Sequence, residues 1–117
     1  MGVHSYKELT VWKKSLSLVK AVYELTKSFP QSEQFGIISQ MRRAAVSIPS
    51  NIAEGYGRRS PKEYKQFYSI AYGSALELDT QLIICQELKL ISSEEHKEAE
   101  EILQEVIKML YVMIYKK

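Results

Sequence analysis

Cysteine, proline and histidine are scarce in this chain, and each scarcity excludes a class of protein. A single thiol, Cys85, can close no internal disulfide. Its place in the apolar run LIIC predicts a small core residue in a reducing, cytoplasmic setting. The two histidines, His4 and His96, do not suit a di-metal centre in a helical bundle, which needs paired Glu-x-x-His motifs. Ser93, not glutamate, stands three residues before His96. The longest apolar run, MLYVMIY, is far short of the roughly 20 residues that span a bilayer. MGVHSYKELT lacks the charged-then-apolar order of a signal peptide, and it puts Tyr6 where a myristoylation signal needs Ser or Thr. No membrane, metal or other cofactor is therefore expected.

Catalytic constellations are missing as well. Cys85 has no base near it in sequence, neither histidine has an evident orienting partner, and the serines suit caps or small packing positions. EGYGRR contains G-x-G, but it follows a helical pattern instead of a strand and completes neither the dinucleotide fingerprint nor a P-loop. The expectation is a protein that is not an enzyme.

What the chain does have is charge and helical periodicity. Of its 117 residues, 45% are hydrophobic and 26% charged, the balance of one ordinary globular domain, 1–117. The net charge of +2 is unevenly spread. Residues 1–31 carry five lysines against two acids and 32–59 four arginines against two acids, whereas 60–91 carry three lysines against four acids and 92–117 four against six. A basic first half and an acidic second half hint at an anionic partner.

Apolar spacing predicts an all-α chain of four helices, about 9–29, 32–56, 61–89 and 93–116. The first carries two apolar stripes, with Lys13, Ser17, Lys20, Glu24 and Lys27 facing water, and Pro30 ends it. The second turns Ile37, Met41, Ala44, Ala45, Ile48 and Ile52 inward. In the third, Ser60, Pro61 and Glu63 form a capping box before a heptad seam of Tyr64, Tyr68, Ala71, Ala75, Leu78, Leu82 and Cys85. Ser92 and Glu95 repeat the box before Ala99, Leu103, Val106, Leu110 and Met113. Short loops make neighbours antiparallel, giving an up-down-up-down four-helix bundle.

The segment SIPSNIAEGYGRRSPKEY interrupts this pattern. Pro49 is expected to kink the second helix, and Gly55 and Gly57 to stop it with the left-handed geometry they tolerate. Glu77, beside the heptad seam, calls for an arginine partner in Arg42 or Arg43. The candidate anion-binding residues are Lys13, Lys14, Lys20 and Lys27, then Arg42 and Arg43, then Arg58, Arg59, Lys62 and Lys65. The last four surround the start of the third helix, where free amides also attract anions. Tyr64, Phe67, Tyr68 and Tyr72 line one side of the third helix, and Tyr111 and Tyr115 stand one turn apart on the fourth. Such aromatics stack on bases only if exposed, and core or interface is their commoner place. Apolar residues outside the seams, Phe67, Ile70, Ile83 and Ile84, predict uncovered surface and association.

YKELTVWKKSLSLVKAVYELTKSFP, QFGIISQMRRAAVSIPSNIAEGYGRRSPKEYKQFYSIAYGSALELDTQL and the closing amphipathic helix together resemble the four-helix bundle proteins first found in 23S rRNA intervening sequences, the S23 family. RRAAVSIPSNIAEG carries the resemblance most specifically. It implies an antiparallel bundle assembled as a homopentamer with a central channel. Related to that family is the accessory variability protein of diversity-generating retroelements, which binds nucleic acid and associates with a reverse transcriptase. By that similarity the basic residues become RNA or DNA contacts. The alternative is a structural or scaffolding oligomer whose partner is a protein such as a reverse transcriptase. The resemblance supplies no catalytic motif.

Overall fold

The structure, a computed structural model, describes residues 5–116. His4 lies outside the described residues. Four helices dominate: α1 (Thr10–Thr26), α2 (Ser39–Tyr56), α3 (Pro61–Glu87) and α4 (Ser93–Tyr115). Consecutive helices pack on one another and α4 closes back onto α1, so the four stand in chain order around one core.

The core is built from one of α1's two apolar stripes, the other leaving Tyr23 41% exposed, and from the predicted rows of the other three helices. Leu18 and Val22 of α1, Met41, Ala45, Ile48 and Ile52 of α2, Ala71, Ala75, Leu78, Leu82 and Cys85 of α3, and Leu103, Val106 and Leu110 of α4 are all fully buried. Tyr64 and Met113 are half-buried at the ends of their seams. Full burial of one Leu- or Ile-sized side chain contributes about 1.5–3 kcal/mol, so these rows outweigh the weak helix propensity of α2's Ser, Ile and Pro residues. Within the core the Cys85 thiol donates to Met41 Sδ at 3.4 Å. Burial first, and then the Glu33 carboxylate, push that thiol up to about 11.

The entry to α2 departs from expectation. Instead of helix from residue 32, a 3₁₀ turn (Gln31–Glu33) leads into a π turn (Gln34–Ile38), and Gly36 interrupts helical geometry at φ −107°, ψ −112°. Phe35, beside that break, is 92% exposed. α2 itself runs on across Pro49, so the helical break lies at Gly36 and not at the proline. Phe29 closes the lower end of the core after α1 stops at Thr26.

The glycines act differently from expectation too. Neither Gly55 nor Gly57 has positive φ, and Gly57 caps α2 at φ −78°. Gly55 is needed for space: a Cβ there would stand 2.6 Å from Cε1 of Tyr68. α2 and α3 can approach that closely because the Tyr68 ring takes the space a side chain at 55 would fill.

Both predicted N-caps form, but one only in part. Ser60 Oγ accepts from the Glu63 amide at 3.2 Å, without a return bond from the Glu63 side chain to the cap. Ser92 and Glu95 complete their box, with bonds of 3.0 and 2.8 Å. At the other end of α3, the amides of Lys89 and Leu90 bond back to the carbonyls of Gln86 and Cys85. This is a Schellman stop, in which Lys89 at φ 61° takes the place usual for glycine.

Candidate nucleic-acid interface

The ten candidate cations separate into committed and uncommitted charges. Arg42 is committed: its guanidinium lies 4.4 Å from the centre of the Tyr23 ring, and its Nε donates to Thr26 Oγ1 at 3.0 Å. It therefore ties α2 to α1. Arg58 pairs with Glu54 at 2.9 Å while lying 4.7 Å above the Phe67 ring, tying the loop to both flanking helices. Lys14 crosses to Glu105 of α4 at 3.1 Å, and Lys27 meets Glu24 one turn back at 3.5 Å. Exposed pairs of the last kind contribute roughly 0–1 kcal/mol and release the lysine readily.

The remaining six, Lys13, Lys20, Arg43, Arg59, Lys62 and Lys65, make no ion pair or side-chain hydrogen bond among the described residues. All are exposed except Lys65, which is half-buried. The Arg42–Tyr23 contact sets the alignment of antiparallel α1 and α2, and this sorts the cations by end. Lys27, Arg42 and Arg43 stand together at the end where α2 begins. Lys13 stands at the other end, where Arg58, Arg59, Lys62 and Lys65 surround the start of α3. Eight of the ten thus fall into two groups, with Lys20 between them on α1, and Lys14 turns to α4.

The expected bridge from Arg42 or Arg43 to Glu77 does not form. Rotation of α2 carries Arg42 to the α1 side, and Glu77 is exposed, its Oε2 accepting from Gln81 at 3.4 Å. A carboxylate left in water needs no cation, which removes the reason for the bridge.

A different pair of acids is the electrostatic surprise. Asp79 of α3 faces Glu100 of α4, and Gln104 donates to Glu100 Oε2 at 3.0 Å. Burial, then the neighbouring Asp79 carboxyl, raise Glu100 from 4.5 to about 7, against the lowering effect of the Gln104 hydrogen bond. Asp79 Oδ1 and Glu100 Oε1 are buried without a hydrogen-bond partner. Spacing within either helix carries no sign of this pair, because it depends on how α3 and α4 are rotated against each other.

Among the described residues no group of three or more His, Cys, Asp or Glu side chains is placed to hold a metal ion. No described helix is long and apolar enough to cross a membrane.

Comparison with known proteins agrees with the bundle. No curated protein matches the chain. A crystal structure of a protein of unknown function from the S23 ribosomal protein family of Bacteroides thetaiotaomicron superposes with a TM-score of 0.84 at 27% identity, covering 92% of this chain and 100% of that one. Residues 7–112 match the family model described as the 23S rRNA-intervening sequence protein. With that match spanning nearly all of the bundle, the chain belongs to the 23S rRNA-intervening sequence protein family.

Proposed function

We propose that this chain is a non-enzymatic, homopentameric accessory protein that binds RNA or DNA through its basic surface. Uncommitted charge carries the proposal. Six cations, four of them at the end where α3 starts, have no partner within the described chain, and a polyanion supplies one without breaking an existing contact. Arg59 and Lys62 also flank the α3 N-terminus, whose dipole favours phosphate. Such contacts give affinity and orientation with little sequence information. The resemblance to the retroelement accessory variability protein supports the same use of a basic face and makes a reverse transcriptase the fitting kind of protein partner.

Fluorescence anisotropy against salt tests this. Binding should weaken steeply with salt, and the Arg59→Gln/Lys62→Gln variant should lower the slope of log K against log salt by about 2, one unit per phosphate contact. Absence of binding at low salt would sink the proposal. Light scattering after size exclusion checks assembly: five times 13.5 kDa is expected, and a monomer mass overturns the pentamer.

Exposed Ile70, Leu76, Ile83 and Ile84 on α3 favour a second reading, an oligomeric scaffold that binds protein. It predicts an oligomer that ignores nucleic acid at every salt concentration.

A further inference from the structure

Tyr72 of α3 and Tyr111 and Tyr115 of α4 form a ladder across the α3–α4 seam. Neighbouring ring centres are 6.4 and 4.7 Å apart and the planes are tilted by 51° and 44°. Tyr111 and Tyr115 are 46% and 62% exposed. Two large rings held side by side in water contribute little to the core, and the core beneath them is already closed by Val106, Leu110 and Ile114.

Charge along the seam is polarised. From Tyr64 to Leu76 on α3 and from Val106 to Lys116 on α4 there is no Asp or Glu. These stretches lie opposite each other, because Tyr72 meets Tyr111. The cations within them, Lys65, Lys108 and Lys116, have no ion pair among the described residues. Acids begin directly beyond these stretches, with Glu77 on α3 and Glu105 on α4. The ladder therefore lies in the acid-free half of the seam, running from Tyr72 in the middle of α3 to Tyr115 at the end of α4.

We infer that Tyr72, Tyr111 and Tyr115 are a stacking platform for unpaired bases, so that this half of the α3–α4 seam selects single-stranded over duplex nucleic acid. The inference rests on the nucleic-acid reading above and narrows it. An exposed ring offers a π-face to a base of any identity, and flanking lysines hold the phosphates that follow. A duplex keeps its bases stacked on one another and presents only phosphates to the same surface. A protein partner would find an apolar stripe better suited to it farther along α3, at Ile83 and Ile84, clear of the lysines.

Anisotropy with a labelled oligothymidine of roughly 20 nucleotides and a duplex of equal length decides the matter. Stacking contributes about 1–3 kcal/mol per base, so wild type should hold the single strand about tenfold or more tighter. Tyr111→Leu/Tyr115→Leu should lose that preference while keeping duplex affinity and the salt slope. Tyr111→Phe/Tyr115→Phe should retain it, since the ring and not the hydroxyl stacks. Lys65→Gln/Lys108→Gln should weaken single-strand binding and lower its salt slope. If the leucine double variant does not fold, Tyr115→Leu alone, near the helix end, should lose part of the preference. An unchanged preference in the leucine variants overturns the inference. Equal affinity of wild type for both nucleic acids overturns it and leaves the broader reading standing, whereas binding of neither overturns both in favour of a protein partner.

Discussion

Asp79 and Glu100 face each other across α3 and α4 with one buried oxygen apiece left unpartnered, and a single shared proton satisfies both. Glu100 accordingly titrates near 7 in the folded protein instead of at 4.5. Between those values the native chain holds a proton that the unfolded chain has released. This group's contribution is complete below about pH 4.5, falls as pH rises toward 7, and is flat above. Thermal melts across that window should show Glu100→Gln melting a few degrees above wild type at pH 8 and level with it near pH 4.5, because the amide donates to Asp79 at any pH. Identical pH profiles for the two proteins would refute the shared proton.

Gly55 and Gly73 should respond oppositely to alanine. At Gly55 the added methyl meets the Tyr68 ring at 2.6 and 2.8 Å and the Tyr64 carbonyl at 3.1 Å. Overpacking of that kind costs about 1–3 kcal/mol. At Gly73 the methyl meets nothing within 4 Å, in the middle of a long helix. There Gly73→Ala should stabilise by about 0.5–1 kcal/mol, as urea titrations would show.

Lys89→Gly should stabilise by roughly 1 kcal/mol. The lysine holds a left-handed backbone that an L side chain resists and glycine adopts freely. Denaturant midpoints give the answer, with Lys89→Ala as the control that keeps the strain.

Arg42→Ala should lower stability by about 1–2 kcal/mol through loss of the Tyr23 and Thr26 contacts, yet leave the salt slope of nucleic-acid binding unchanged. Arg43→Gln should do the reverse. Paired melts and binding isotherms separate the two arginines, which neighbour each other in sequence and differ only in what they face.

The bundle was legible because each helix writes its own buried face into its spacing: Ala71, Ala75, Leu78, Leu82 and Cys85 can be read as a seam without knowing any partner. The caps at Ser60 and Ser92 were legible for the same reason, since a cap involves residues three apart. Relations between helices were not. Whether Arg42 reaches Glu77 or Tyr23, and whether Asp79 meets Glu100, depends on rotations of tens of degrees set by the whole core. The start of α2 was misread because Gln34–Ile38 keeps helix-like composition while Gly36 leaves helical geometry. The basic residues could be found by composition, but which of them are free required their neighbours.

Cys85 gives the bundle an internal clock. Its thiol is fully buried, and with a titration point near 11 it is almost entirely protonated at neutral pH, so alkylating reagents find no nucleophile until the core parts. Because its contacts run from α3 to Met41 of α2, the labelling rate reports separation of those two helices and ignores fraying at the ends. Any ligand of the native bundle should slow that reaction by the same factor by which it suppresses opening, so the strength of an unknown partner can be read from sulfur chemistry alone.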